Sequence, residues 1–177
     1  MKKKMIFLDR VKGVDFYIYT PTIFHQYNKC YKKKEEPEYW NSIRHRIRMF
    51  VQHITYGYSV VYMFSENQIL GHIVVSRGGR DFLKTTKDDI VLGPIWINPN
   101  FRGRGFGTIG IDFVLNSKKI KYNRAFERIS PTNVASIRTV EKNNFKFFGK
   151  VSQNKNKVFF DSNGQLAAYV YYNKEEY

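Results

Sequence analysis

The feature that most constrains this 177-residue chain is a run of alternating glycines, Gly103, Gly105 and Gly107. The run follows a strand predicted over 90–97 and an Asn-Pro-Asn turn, and it precedes a helix predicted over 108–119. Glycine lets backbone NH groups turn towards a ligand and leaves no Cβ in the way. Because the first NH groups of a helix have no partner within it, this strand, loop and helix are expected to form an anion site suited to a pyrophosphate.

The loop also carries Arg102 and Arg104, which are expected to add charge-assisted contacts to such an anion. Two alternatives stay open for the glycines. The stretch 105–110 formally matches the dinucleotide fingerprint G-x-G-x-x-G, although that fingerprint directly follows its strand and opens the fold, whereas roughly half of this chain precedes the loop. The other alternative is a purely structural glycine turn. A Walker-type loop is excluded, because no Gly-Lys-Ser/Thr follows.

Hydrophobic patterning along the rest of the chain predicts an α+β fold in a single domain over residues 1–177. Helices are expected to flank a mixed, mostly antiparallel sheet of six to seven strands in a three-layer arrangement, with one parallel β-loop-α-β crossover. The Gly93-Pro94 pair inside a strand predicts a bulge or a place without a ladder partner. Strands are predicted over 14–20, 59–64, 68–75, 90–97, 124–129, 145–151 and 166–172, turns at 65–67 and 161–164, and helices from near Pro21 and over 35–56, 108–119 and 133–143.

Composition and charge narrow the class of protein. A net charge of +15 is compatible with an acidic partner such as nucleic acid, a membrane surface or a phosphorylated substrate, or with codon usage that favours Lys, Asn, Ile and Tyr. The single cysteine, Cys30, cannot form an internal disulfide, and the apolar run at 5–8 is too short for a signal peptide. These features predict a cytoplasmic protein without a membrane span, and the absence of Cys/His spacing predicts no metal.

Two motifs in the second half of the chain carry a resemblance to a known family. The loop pattern Gln/Arg-x-x-Gly-x-Gly/Ala is matched by Arg102, Gly105 and Gly107. About 25 residues later, the pattern Asn-x-x-Ala/Ser followed by Glu-Lys-x-Gly-Phe is matched by Asn133, Ser136, Glu141, Lys142 and Phe145, with Asn144 in place of its glycine. Asn is the next most tolerant residue for the left-handed conformation that ends a helix, so the replacement preserves the helix stop. On these motifs the chain resembles the GNAT superfamily of acetyltransferases.

The resemblance implies that acetyl-CoA is the co-substrate and that the strand before the loop binds its thioester end. The residues implied in binding it are Ile95, Trp96, Ile97, Arg102, Gly103, Arg104, Gly105, Phe106, Gly107, Thr108, Asn133 and Ser136. Asn133 is also well suited to cap a helix, and Ser136 to let the helix approach the cofactor closely. The family's usual acid, a tyrosine, is replaced here by Val140, which leaves Ser136 as the candidate proton donor.

The general base is less clearly specified. Glu127 is the only carboxylate near the expected centre, but it stands one residue before the position where some family members carry a Glu. His72 and a water chain are the alternatives, while His25, His45 and His53 lie on predicted helices without an evident partner.

The acceptor is expected to be a primary amine of a small molecule. If the basic side of the 35–56 helix, with Arg44, Arg46 and Arg48, faces inward, an anionic acceptor such as a nucleotide-linked amino sugar would fit. A protein N-terminus, a polyamine or an antibiotic amine are alternatives, and so is a catalytically silent module that binds coenzyme A. The charge alone suggests a nucleic-acid binder, which is the weakest alternative. The sequence leaves the oligomeric state open, with a homodimer among the alternatives.

Overall fold

A computed structural model describes residues 5–22, 25, 42–80, 83–154, 157–160 and 165–174 of the chain. These residues contain nine strands and three α-helices. The strands are β1 (Ile6–Val11), β2 (Val14–Tyr19), β3 (Tyr58–Ser65), β4 (Gln68–Arg77), β5 (Ile90–Ile97), β6 (Arg124–Ile129), β7 (Lys146–Asn154), β8 (Lys157–Phe160) and β9 (Gln165–Lys174). The helices are α1 (Ile43–Tyr56), α2 (Phe106–Asn116) and α3 (Val134–Glu141), and a 3₁₀ turn covers Pro99–Phe101.

All nine strands form one sheet in the order β1-β2-β3-β4-β5-β6-β9-β7-β8. Every neighbouring pair is antiparallel except β5 and β6, which are parallel and are connected through α2. The predicted α+β class and its single parallel crossover are therefore confirmed. The predicted turn at 161–164 lies outside the described residues.

The sheet has more strands than the six or seven that the sequence predicts, because β1 and β8 add one strand at each edge. In β1 only Leu8 is buried, and the exposed Asp9 and Arg10 interrupt its apolar pattern. An edge strand pairs on one side only and tolerates charged residues, so it lacks the hydrophobic signal on which the prediction depends.

The core lies in two layers on opposite faces of the sheet, because neighbouring residues of a strand point to opposite faces. In β3, Val61 and Met63 pack in the cluster that includes α2 and α3, whereas Val60 and Tyr62 pack in the cluster that includes α1. The helix α2 approaches the sheet closely at Gly110, where a Cβ would lie only 2.7 Å from Met63 Sδ. The arrangement has three layers, with α1 on one face and α2 and α3 on the other.

One helix packs differently from the prediction. The described part of the predicted 35–56 helix is α1, and its buried contact is Met49, which is 0% exposed. The helical spacing of the sequence predicts an apolar face formed by Trp40, Ile43, Ile47, Phe50, Val51 and Ile54. Trp40 lies outside the described residues, and the other five are all exposed. The periodicity predicted the helix correctly but not the side that packs. Near Pro21, where a helix start is predicted, Thr22 and His25 form an isolated bridge, and the residues on to 41 lie outside the described part.

Candidate active site

A gap opens in the middle of the sheet, where β5 and β6 separate. The parallel ladder between them starts at Ile90–Ala125 and ends at Leu92–Glu127. Immediately after Leu92, Gly93 and Pro94 form a bulge on β5 opposite β4, as the sequence predicts, since two residues of β5 there oppose one of β4. Beyond the bulge β5 stays paired with β4 alone, so the backbone edge that faces β6 has no ladder partner there.

The gap widens into a cavity of about 540 Å³, which we call the gap pocket. Its walls come from α1, from β5 and β6, and from the first turns of α3. The residues that line it include Arg48, Tyr56, Arg80, Gly93, Pro94, Ile95, Glu127, Arg128, Asn133 and Ser136. The structure therefore brings together two predicted catalytic residues, Glu127 and Ser136, with two predicted binding residues, Ile95 and Asn133.

Glu127 is the carboxylate of the gap pocket. It lies where the parallel ladder ends and is only 6% exposed. Its Oε2 atom is buried and has no hydrogen-bond partner among the described residues. Burial raises the pKa of Glu127 from 4.5 to about 8, because the charged form loses its hydration. A carboxyl group with such a pKa can accept and release a proton near neutral pH.

The residues at the start of α3 are held by a helix cap. Asn133 Oδ1 accepts a hydrogen bond of 3.2 Å from the backbone NH of Ser136, as an N-cap side chain does. Both residues still line the gap pocket. One turn further, Val140 is fully buried, so the position at which the resemblance implies an acid is apolar in this chain. Among the predicted residues, Ser136 is the hydroxyl that lines the pocket.

Three arginines from three different elements also line the gap pocket, and we call Arg48, Arg80 and Arg128 the arginine cluster. Arg48 belongs to α1 and Arg128 to β6, and both are exposed, whereas Arg80 follows β4 and is 8% exposed. Of the basic residues predicted for the α1 side, Arg48 lines the pocket, but Arg44 and Arg46 are exposed and do not. Arg80 had no signal in the sequence, because its burial depends on the neighbouring elements.

The loop after β5 is anchored by Asn98, which is 2% exposed. Asn98 Nδ2 donates to the carbonyl of Ile69, and Asn98 Oδ1 accepts from the NH of Asn100, both at 3.1 Å. These bonds fix the 3₁₀ turn against β4 and direct the following glycines towards α2. The sequence predicts the Asn-Pro-Asn turn that begins at Asn98, but not the buried side-chain bonds that anchor this turn to β4.

The glycines of the loop have the geometry that the anion site requires. Gly103 has a φ of 75° and Gly105, the residue before α2, has a φ of 80°, and a Cβ on either would meet nothing within 4 Å. The first hydrogen bond of α2 runs from Ile109 N to Gly105 O, so the amides of 106–108 precede the helical ladder. An open backbone surface with amides at a helix start fits the diphosphate of coenzyme A.

The two loop arginines are oriented by local contacts. Arg102 Nε donates to the carbonyl of Ile97 at 3.1 Å, and the Arg104 guanidinium lies 5.6 Å from the centre of the Phe101 ring. Both side chains are exposed beside the glycines. Both arginines therefore lie beside the predicted anion site, although Arg102 also bonds the backbone at the end of β5.

The remaining strand residues predicted to bind the thioester end lie next to the gap. Ile95 and Ile97 are half-buried, and Trp96 is buried and pairs with His72 on β4. A Cβ on Gly71 would clash with the carbonyl oxygen of Trp96, which shows how closely β4 supports this strand.

His25, His53 and His72 are not among the residues that line the gap pocket. His72 is fully buried and stacks on Trp96 with ring centres 5.7 Å apart, and it is absent from the lining of the gap pocket. His53 packs edge-on against Tyr58 on the α1 side. His25 is exposed, and the side chain of His45 lies outside the described part. No group of three potential metal ligands occurs among the described residues, and none of the described helices is long and apolar enough to cross a membrane.

A second and larger cavity, of about 1220 Å³, lies at the C-terminal end of α2. Arg77, Lys87, Lys118 and Lys121 contribute to its wall. It is therefore at the opposite end of α2 from the glycine loop, and none of the predicted site residues lines it.

Comparison with known proteins agrees with this geometry. The family model for the acetyltransferase (GNAT) family matches residues 20–145, more than two thirds of the chain. No curated protein sequence matches it.

Solved structures share the fold at low sequence identity. A GNAT-family acetyltransferase from Bacillus anthracis has a TM-score of 0.61 and 17% identity, covering 97% of this chain and 100% of that one. RimL, a ribosomal L7/L12 α-N-protein acetyltransferase, has a TM-score of 0.62 and 14% identity, covering 97% and 95%. Campylobacter jejuni N-acetyltransferase PseH, solved with acetyl coenzyme A, has a TM-score of 0.52 and 17% identity, covering 81% and 86%. The family match, the shared fold and the loop geometry agree, and the chain therefore belongs to the GNAT family of acetyltransferases.

Proposed function

We propose that this enzyme transfers an acetyl group from acetyl-CoA to the primary amine of a small molecule that binds in the gap pocket. The observation that carries the proposal is the position of Glu127, a buried carboxylate at the point where the β5–β6 ladder ends. A thioester held along the free edge of β5 would lie beside the same opening. The amine, the thioester carbonyl carbon that it attacks and a proton acceptor would then meet in one desolvated space.

The cofactor residues of the proposal are those that the resemblance implies. The backbone of 102–108 would hold the diphosphate, and the backbone of 95–97 would bind the thioester end. Asn133 and Ser136, already fixed by the α3 cap, would contact the pantetheine arm where it enters the gap. Acetyl-CoA supplies the activated acyl group when bound, and the rest of the chemistry falls to the chain's own side chains.

Glu127 would act as the general base. Attack by the amine nitrogen on the thioester carbonyl forms the C–N bond and leaves an extra proton on nitrogen, which the Glu127 carboxylate accepts. The C–S bond then breaks, and the thiolate of coenzyme A takes a proton from Ser136 or from water. The raised pKa of about 8 makes Glu127 a better proton acceptor than an ordinary carboxylate, while a useful fraction remains ionised at neutral pH.

The test is release of free coenzyme A thiol from acetyl-CoA in the presence of a panel of primary amines. At least one amine should support turnover, with kcat/KM rising with pH through about 8. Glu127→Gln should lower kcat/KM by about 10²- to 10⁴-fold, the usual loss of a general base. Glu66→Gln, on the exposed turn between β3 and β4, is the matched control and should retain full activity.

A catalytically silent module is the competing outcome, and the buried Val140 at the position of the usual acid is the observation that favours it. Tight binding of acetyl-CoA with no thiol release for any amine would support the silent module and contradict the proposal. Transfer to peptide N-termini but to no small amine would instead assign the activity to a protein acceptor.

A further inference from the structure

The gap pocket contains more positive charge than acetyl transfer to a simple amine requires. The arginine cluster contributes three guanidinium groups, and Glu127 is the acidic residue in the same lining. An amine acceptor is itself cationic before it loses its proton, so a pocket with three arginines would repel a simple amine. The excess charge therefore needs a different explanation.

Arg80 is the most constrained member of the cluster. Its Nη2 donates to Ser76 Oγ at 2.9 Å, its Nη1 donates to the carbonyl of Arg77 at 3.2 Å, and its guanidinium lies 4.4 Å from the centre of the Tyr56 ring. All of these described partners are neutral. A buried guanidinium held only by neutral groups carries a desolvation cost that a bound anion would offset.

The other two arginines increase this cost. Burial lowers the pKa of Arg80, Tyr56 opposes that shift, and the charge of Arg128 adds to it. Arg128 is exposed as a whole residue, but its guanidinium is partly buried, and this loss of solvent and then the charge of Arg48 lower its pKa. Arg128 thus lies near enough to both Arg80 and Arg48 for their like charges to repel, and an anion bound between them would offset that repulsion.

We propose that the gap pocket selects acceptors that carry a phosphate or carboxylate group, bound by the arginine cluster while the amine lies at Glu127. The inference rests on the proposed function for its amine, but the anion site itself can be measured without turnover. Guanidinium groups from three elements can surround one anion and bind it through charge-assisted, bidentate hydrogen bonds. The same contacts would anchor the acceptor at a fixed distance from its reacting nitrogen.

The experiment titrates matched ligand pairs into the protein saturated with coenzyme A, so that the loop site is already filled. O-Phosphoethanolamine is compared with ethanolamine, and β-alanine with propylamine, by calorimetry. The anionic member of at least one pair should bind ten times more tightly or better, as expected for one charge-assisted contact to a buried cation. The phosphate pair and the carboxylate pair separate the two kinds of anion.

Variants of the arginine cluster then test whether these arginines cause the preference for the anionic ligand of a pair. Arg128→Gln and Arg48→Gln should each reduce it about tenfold, and Arg80→Lys should reduce it less than Arg80→Gln because the charge is retained. Arg46→Gln, an exposed residue of the same helix outside the pocket, should leave the preference unchanged. Circular dichroism identifies any variant that fails to fold.

Equal affinity within both pairs, or an unchanged preference in the Arg48 and Arg128 variants, would overturn the inference. The proposed function fails on different evidence, namely wild-type protein that releases no thiol with any amine. A preference for anions in an inactive protein would therefore support the anion site while contradicting the transferase assignment of the pocket.

Discussion

Glu127→Gln should make the protein more stable at alkaline pH, although it removes the proposed base. The pKa of Glu127 is raised by burial, so between pH 4.5 and about 8 the folded chain holds a proton at this site that the unfolded chain has released. Stability from the neutral carboxyl group is fully present below pH 4.5 and is lost as pH rises through about 8. Glutamine stays neutral throughout and does not incur this loss.

The size of the effect follows from the two pKa values. At about 1.36 kcal/mol per pKa unit, raising the pKa from 4.5 to about 8 corresponds to about 5 kcal/mol once Glu127 is fully ionised. At pH 5 the two proteins should differ by less than about 1 kcal/mol from this source. Between pH 5 and pH 9 the variant should gain about 4 kcal/mol relative to wild type, or on the order of 10 °C in Tm for a chain of this length.

The assay is thermal and denaturant unfolding of both proteins without ligand, from pH 5 to pH 9. The difference in stability between wild type and Glu127→Gln at each pH cancels the titration of all other groups, provided that the charges near residue 127 are the same in both proteins. Those charges are Arg48, Arg80 and Arg128, which line the pocket in both proteins. Glu141→Gln, on the exposed side of α3, serves as the control and should track wild type. Parallel curves for wild type and Glu127→Gln would show that Glu127 ionises normally, which would refute the reasoning about its burial.

Two further predictions concern the loop and the fold. Gly107→Glu should abolish detectable acetyl-CoA binding by calorimetry, because it places a negative charge at the amides of the diphosphate site, while Gly107→Gln should weaken binding far less. Gly107 is a cleaner position for this test than Gly105, because its φ is not positive and a Cβ there would meet Thr139 and Ile97 at ordinary contact distances of 3.4 Å and more. Gly105→Glu would add backbone strain to the same charge effect. Full affinity in Gly107→Glu would contradict the loop assignment. Asp89→Ala should destabilise the protein by about 3 kcal/mol at pH 7, because it leaves Arg124 without the carboxylate that lies 2.7 Å away. Burial alone would raise the pKa of Asp89, but hydrogen bonds from Arg124 and Thr86 outweigh it and lower the pKa. The stabilisation from Asp89 is therefore present above pH 4 and is lost in acid. A stability difference between wild type and Asp89→Ala that does not shrink below pH 4 would count against this interpretation.

The parts of the fold that the sequence predicted well are those determined by local chemistry. The glycines at 103 and 105 have the left-handed conformations expected of a ligand-binding turn, and Asn144 has a φ of 60° as expected of a helix stop. The bulge at Gly93-Pro94 also follows from backbone geometry alone. These features depend on a few neighbouring residues, so a single sequence carries enough information to predict them.

The features that the sequence could not predict depend on contacts between distant segments. The apolar residues of α1 have a clear helical period, but the side that packs is determined by the shape of the sheet beneath Met49. Arg80 follows two glycines in what looks like an ordinary loop, and its burial depends on contact with Tyr56 at the end of α1, a segment distant in sequence. The position of Glu127 along its strand does not predict its role, whereas in the structure it is the acidic residue among those that line the gap pocket.

A crystal structure with bound acetyl-CoA would show whether the glycine loop and the gap pocket hold the co-substrate. We expect the diphosphate to lie against the amides of 102–108 and the acetyl group to lie in the gap between β5 and β6, next to Glu127. Coenzyme A in the larger cavity at the C-terminal end of α2, beside Lys118 and Lys121, would contradict the account.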